Sequence, residues 1–372
     1  MNLRNPMSHL DPGAHHIYLL PGFDPGGTRT LLRLLRQELA QAEPPLRLER
    51  LKSSGALPCW ALQDRSAAKP AILGRLTLLS WDDIVRRRWA KPPWRLCWQG
   101  LLLYGYYLLH GRTLKTIRTL PKASFTFFWP MVFVMSLSLA ALAQAVLIAV
   151  LPIAAGWKLL LLGCTLAGWL WFGLKQADRR RVDWLFRAIH FSCTLTHGEG
   201  DDLSKRLDDF AEAIASNIRS GNKERHVIVG YSSGAYLAQK VAIRVLESTG
   251  QGPDTSKLQL ITLGQNPAFL ASISTREGFR RELRTLLDQS IPWIDFTCRE
   301  DWMSFAEVEL ANVLGCTPGP FPQRRQVNLA GAAGLSDLKT VLNNQFVLHF
   351  QYFRHAREFS CLEWLKGPYT NE

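Results

Sequence analysis

Hydrophobic and polar positions follow one rhythm at both ends of this chain and lose it in between. Near the start, His15–Leu20 (His-His-Ile-Tyr-Leu-Leu) reads as a short strand, Pro21 to Gly27 as a turn-rich loop, and Thr30–Gln41 as a helix burying Leu31, Leu32, Leu34, Leu35 and Leu39. Leu46–Leu51 alternates apolar and charged residues as a half-buried strand does, and Arg75–Leu79 reads as another strand running into Trp81-Asp82-Asp83. The same rhythm returns after residue 182. An amphipathic helix spans Leu203–Ile218, with Asp201 and Asp202 at its start, where acids suit the helix dipole. A strand at His226–Val229 leads into a helix reaching Leu246. Then come a strand at Leu258–Gly264, a basic helix at Arg276–Leu287, a strand at Ile291–Phe296 and a last strand at Gln326–Leu329. Alternation of this kind predicts the α/β class, a mostly parallel sheet flanked by helices, divided between residues 1–83 and 183–372.

Residues 84–182 follow neither period. From Phe125 to Leu151 there is no charged residue, and the run exceeds the ~20 residues a helix needs to cross ~30 Å of hydrocarbon. After a turn at Pro152–Gly156, Trp157–Leu174 is a second apolar run of spanning length, its lone charge Lys158 placed where it can snorkel outward. A transmembrane hairpin of about 125–151 and 157–174 explains both better than an apolar lid. Ahead of it, Arg86, Arg87, Arg88, Lys91, Arg95, Arg112, Lys115, Arg118 and Lys122 interleave with Trp89, Trp94, Trp98, Tyr104, Tyr106 and Tyr107. Leu96–Leu109 is too continuously apolar for a phosphate-binding face, so this segment reads as lying on an anionic membrane surface and not as a nucleic-acid binder.

Charge then sets orientation. The chain carries a net +13, yet no Asp or Glu occurs between Asp83 and Asp178. Basic residues precede the first span, and Lys175, Arg179, Arg180 and Arg181 follow the second. Positive flanks stay inside, so both termini and the α/β domain are expected on the cytoplasmic face of an inner membrane. The seven scattered cysteines lack C-x-x-C pairing and suit a reducing compartment. No apolar stretch before His15 reads as an export signal. His197, Glu199, Asp201 and Asp202 match no metal-ligand spacing and read as a solvated loop at a helix start. No phosphate loop or dinucleotide fingerprint is present, and neither metal nor cofactor is expected.

One stretch carries chemistry. His226-Val-Ile-Val runs into Gly230-Tyr231-Ser232-Ser233-Gly234, and an Ala- and Leu-rich helix follows at once. A serine at the apex of so tight a strand-to-helix turn needs glycine at 230 and 234, where side chains would collide. It also sits at a helix N-terminus, which favours a developing oxyanion. This context resembles the nucleophile elbow of the α/β-hydrolase superfamily, and outside residues 84–182 the chain looks like a membrane-anchored, lipase- or esterase-like member of bacterial type.

That resemblance implies partners in the order Ser, acid, His. Asp301 stands just past the Ile291–Phe296 strand, in an Asp-x-x-Ser run, with Glu300 as a neighbouring competitor. Asp295 lies inside the strand, where its carboxylate would point at a sheet face. His349, in Val-Leu-His-Phe-Gln-Tyr, falls where the family's histidine precedes a C-terminal helix, whereas His355 reads as a surface residue. The loop after the first strand implies an oxyanion hole built from the backbone N–H groups of Phe23 and Ser233, although Pro21 replaces the family's histidine. The implied triad is Ser232, Asp301 and His349, and the implied activity is hydrolysis of a lipid-like or acyl ester through an acyl-enzyme. A thioesterase or acyltransferase using the same triad, or a non-enzymatic membrane scaffold, are the alternatives.

Overall fold

The computed structural model describes residues 15–51, 57–65, 72–89, 92–110, 112–220, 224–249, 257–289, 291–305, 308–354 and 359–365; Lys91 and His355 lie outside them. The chain forms two compact units, Met1–Trp89 with Thr194–Glu372, and Ala90–Cys193.

The first unit is built on one eight-stranded mixed sheet. Its strands are β1 (His15–Leu20), β2 (Leu46–Arg50), β3 (Cys59–Asp64), β4 (Ile72–Leu78), β5 (Arg225–Tyr231), β6 (Leu258–Leu263), β7 (Trp293–Thr297) and β8 (Gln323–Gln326), in spatial order β2-β3-β4-β1-β5-β6-β7-β8. The pairs β2/β3 and β3/β4 are antiparallel; every other neighbouring pair is parallel.

Helices α1 (Gly27–Leu39), α2 (Asp82–Arg88), α3 (Pro93–Leu109), α4 (Arg112–Thr119), α5 (Pro121–Val150), α6 (Ala155–Arg179), α7 (Val182–Leu195), α8 (Asp201–Arg219), α9 (Ser233–Thr249), α10 (Pro267–Ile273) and α11 (Glu277–Leu287) follow in order. Short helices α12 (Leu310–Leu314), α13 (Leu329–Ala332), α14 (Leu338–Asn343), α15 (Gln345–His349) and α16 (Leu362–Leu365) complete the chain.

Period-two alternation sorts the central strands between two faces. Ile17, Leu19, Leu76, Leu78, Val227, Val229, Ile261, Leu263, Ile294 and Phe296 form one core with Leu31, Leu35 and Leu39 of α1 and with Tyr352, Phe353 and Trp364 from the C-terminal segment. On the other face α8 packs beside α9, which lies on β5 and β6. That face also holds a buried polar cluster. Tyr18 Oη lies 3.1 Å from His16 Nδ1 and 3.2 Å from His226 Nδ1, and Asn217 donates to it at 3.0 Å. Burial lowers His16 to about 3 and His226 to about 4, so both stay neutral.

Three expectations need correction. The last strand is β8, ending at Gln326, and Leu329 opens α13. Strand β3 and helix α7 were not predicted. Glu199 is not solvated; it is buried, ion-paired with Lys240 and accepting from Arg244 at 2.6 Å. That contact ties the approach to α8 onto α9.

Asp295 in mid-β7 points at a sheet face, as its position in the strand predicts. It accepts from Thr262 Oγ1 at 2.6 Å on the neighbouring β6. Burial pushes its carboxyl up to about 6, against the opposing pull of the Thr262 bond and of Arg324. The folded chain therefore holds this proton where the unfolded chain, at about 4, has lost it. Stability from this site is full below pH ~4 and is lost as pH rises through ~6, a decline of about 3 kcal/mol. Asp295→Asn is expected to flatten that slope and to raise Tm at pH 7–8, as thermal unfolding of the detergent-solubilised chain across pH 4–8 will show. An unchanged slope would refute the assignment.

In the second unit, α5 and α6 are long and apolar enough to cross a membrane. A core helix of a soluble protein would be mostly buried, whereas no residue of α6 and few in the most apolar stretch of α5 are buried within the protein. The helices pack on each other, and Trp169 Nε1 donates to Gln144 Oε1 at 2.7 Å, satisfying both groups. Lys158 bonds Ala149 O at 2.6 Å, capping the last turn of α5. Helix α3 buries Tyr104 and Tyr107 against Phe127 while exposing Trp94, Trp98, Leu101, Leu102, Leu108 and Leu109 along one stripe.

Candidate active site

Strand β5 delivers Ser232 to the start of α9. Its φ is +54°, in the left-handed region where few non-glycine residues sit. Such strain persists only where the surroundings fix it. Ser232 N donates to Leu263 O at 2.9 Å, and Ala235 N donates back to Ser232 O at 2.9 Å. The flanking glycines are steric necessities. A Cβ on Gly230 would lie 2.6 Å from Ala235 Cα and Gly234 O, and one on Gly234 would lie 2.4 Å from Pro21 O. The second clash is with the loop after β1, so the elbow and that loop are pressed together. Gly22 extends the contact, since a Cβ there would meet Ser232 Cβ at 3.2 Å. The backbones of Phe23 and Ser233 are thereby carried on adjoining segments, one residue beyond Gly22 and one beyond Ser232. Ser232 itself is only half-buried, whereas Ser233 and Phe23 are buried.

Asp301 and His349 come together from 48 positions apart: His349 Nδ1 lies 2.8 Å from Asp301 Oδ2, with both side chains buried. A carboxylate only accepts, so Nδ1 carries the hydrogen and Nε2 is left as the basic nitrogen. Glu300 turns elsewhere, accepting from Cys298 Sγ at 3.2 Å. The Asp-x-x-Ser run closes on itself: Ser304 Oγ donates to Asp301 O at 2.8 Å, and Met303 N donates to Asp301 Oδ1 at 3.1 Å. His349 occupies the last position of the short helix α15 rather than a loop ahead of a longer one.

The histidine is also anchored to the elbow. Tyr231, the residue before Ser232, donates its hydroxyl to His349 O at 2.8 Å, and the two rings lie 5.0 Å apart. Gly264, with φ +57°, follows the residue that accepts from Ser232 N; a Cβ there would lie 3.4 Å from His349 Cε1. Gln345, one turn before His349, donates to Glu300 O at 2.8 Å and accepts from Trp302 N at 2.9 Å. It clamps the acid loop to the histidine helix. Sequence reading missed Tyr231 and Gln345 as supports. Tyr231 could have been suspected as the variable position of the elbow, but nothing local marks Gln345.

A groove of about 1140 Å³ opens beside α8, lined by His16, Tyr18, Thr77, Arg206 and Asn217 among others, and none of the implied triad lines it. Among the described residues no group of three or more His, Cys, Asp or Glu could hold a metal ion. Compared with protein-family models, curated proteins and solved structures, the chain has no match in any of the three.

Proposed function

We propose that this chain is a membrane-anchored serine hydrolase that cleaves a carboxylic ester of lipid or acyl type through an acyl-enzyme. The observation that carries the reading is the buried 2.8 Å contact between His349 Nδ1 and Asp301 Oδ2, taken together with a serine held at positive φ in a Gly-x-Ser-x-Gly turn. In this reading His349 Nε2 takes the Ser232 proton as Oγ attacks the ester carbonyl, and Asp301 steadies the imidazolium that forms. The oxyanion is held by the N–H groups of Phe23 and Ser233. Collapse expels the alcohol, protonated by His349, and water repeats the sequence to release the acid and restore Ser232.

In this reading α5 and α6 cross a bilayer, with the α/β unit and both termini on the cytoplasmic side of the inner membrane and the basic, Trp-rich segment on anionic headgroups. Anchoring in that plane favours a substrate drawn from the same leaflet. A fluorophosphonate reacts with a serine made nucleophilic by a neighbouring base. Treating membranes that contain the full chain is expected to place one phosphonyl adduct on the peptide bearing Ser232, read by mass spectrometry. No adduct on the folded, membrane-inserted chain would favour the non-enzymatic scaffold, and an adduct elsewhere would refute Ser232 as the nucleophile.

A further inference from the structure

The loop that carries Phe23 is held by the segment Ser80–Trp89. Fully buried Trp81 donates its indole N–H to Pro21 O at 3.0 Å, and its ring lies 6.1 Å from that of Phe23. Asp82 Oδ1 accepts from Thr28 N at 3.3 Å and Thr28 Oγ1 at 3.0 Å. A Cβ on Gly27 would lie 2.4 Å from that oxygen, so the bond from Thr28 to Asp82 uses the space that glycine leaves open. At the far end of α2, Trp89 stacks on Phe23 with ring centroids 5.3 Å apart and planes at 27°.

Helix α2 is pinned in turn. Asp83 accepts from Arg206 at 3.0 and 3.1 Å, and Arg88 reaches Glu199 O at 2.8 Å and the Asp202 carboxylate. Trp89 is also the last residue of the first unit; α3 of the second begins at Pro93. The residue through which the chain departs for the membrane helices thus lies on the ring of the residue assigned to the oxyanion hole.

From this geometry we infer that Trp89 is a positioning residue for the Phe23 N–H, and that anchoring of the second unit tunes turnover through it. The inference rests on the serine-hydrolase reading. An oxyanion donor acts at about 3 Å from the developing charge, and misplacement by about 1 Å costs on the order of 10²-fold. Loss of one ring contact, with that of Trp81 retained, displaces the loop less than that. Trp89→Ala, in the full chain in liposomes of phosphatidylethanolamine and phosphatidylglycerol, is therefore expected to lower kcat for a p-nitrophenyl ester about tenfold. KM should stay within about twofold, and Trp89→Phe should restore most of the rate. A packing defect alone would not give that split.

A second variant keeps the indole and slackens the tether: Gly-Ser-Gly-Ser inserted between Trp89 and Ala90. It is expected to slow turnover in liposomes and to leave the rate in detergent micelles unchanged. If Trp89→Ala does not fold, Trp89→Leu, which keeps apolar volume without a ring face, replaces it with the same expectation. Wild-type rates in the Ala or Leu variant overturn the positioning role; an insertion without effect in liposomes overturns the membrane coupling. Either result, with wild-type turnover abolished by Ser232→Ala, leaves the hydrolase reading standing. Wild-type turnover that survives Ser232→Ala overturns both.

Discussion

Asp301→Asn is expected to cut kcat for ester hydrolysis by about 10⁴-fold while leaving the fold intact, the scale on which a serine triad loses activity when its carboxylate becomes an amide. The argument is one of tautomers. Asp301 Oδ2 accepts the Nδ1 hydrogen of His349 at 2.8 Å, which leaves Nε2 free to take a proton. An amide can turn its NH₂ toward Nδ1, and the ring then carries its hydrogen on Nε2, where it is no base. Glu300→Gln is the matched control: that carboxylate faces Cys298, so the expected change is within about twofold. The measurement is kcat and KM for a p-nitrophenyl ester in detergent, with Tm as the check on folding. A large loss in Glu300→Gln with little in Asp301→Asn would reverse the assignment of the acid. Combining Asp301→Asn with Ser232→Ala should add almost nothing to Ser232→Ala alone, because residues that act as a unit lose their effect together.

Much of the architecture is legible along the chain because its central strands are buried on both faces. His15–Leu20 and Leu258–Leu263 are unbroken buried runs, and the Gly-x-Ser-x-Gly turn marks the end of a third. What escaped lies at edges and junctions. Cys59–Asp64 mixes Cys, Trp, Ala and Gln without clean alternation, and both of its pairings are antiparallel, unlike those of the rest of the sheet. The β8 edge strand is Gln-Arg-Arg-Gln, so the eye moves three residues on to the more apolar Val327 and Leu329, which lead into a helix. Helix α7 was hidden behind Arg179–Arg181, a charge run that reads as the end of the membrane segment.

The site divides in the same way. The steric demand at Gly230 is written locally, because its clash is with Gly234 and Ala235 of the same turn, whereas the demand at Gly234 comes from Pro21 on the loop after β1. The order Ser232, Asp301, His349 could be read along the chain, but Glu300 and Asp301 are adjacent and differ only in the direction their carboxylates take. Direction is a tertiary property. It is set partly by Gln345, which bonds Glu300 O and Trp302 N across more than 40 residues, and no pattern within either segment announces it. Trp81 and Trp89 are similar. In sequence Trp81 follows a strand and Trp89 belongs to an aromatic, basic stretch, while in the fold both rings lie against Phe23.

Excision of the second unit is expected to leave a chain that stays in solution, whereas the full chain is expected to remain with the membrane. In the full chain, α5 and α6 should keep the protein in the membrane pellet through an alkaline carbonate wash, since two apolar helices of 30 and 25 residues each exceed spanning length. The first unit needs neither helix for its sheet: all eight strands lie outside Ala90–Cys193. Its two inner chain ends are already held near each other, with Arg88 bonded to Glu199 O at 2.8 Å and to Asp202. Exposed ion pairs of this kind contribute only about 0–1 kcal/mol each, so they fix the geometry of the junction and leave stability to the core. A Gly/Ser linker of about eight residues, able to span up to ~27 Å, should therefore replace residues 90–193 without strain. After high-speed centrifugation the shortened chain is expected wholly in the supernatant, with a single cooperative unfolding transition. Release of the full chain by carbonate would refute membrane spanning. A shortened chain that is soluble yet unfolds without cooperativity would show instead that the sheet depends on the unit removed. Because Ser232, Asp301 and His349 all remain in the shortened chain, phosphonylation of its Ser232 would separate the chemistry of the site from the unit removed.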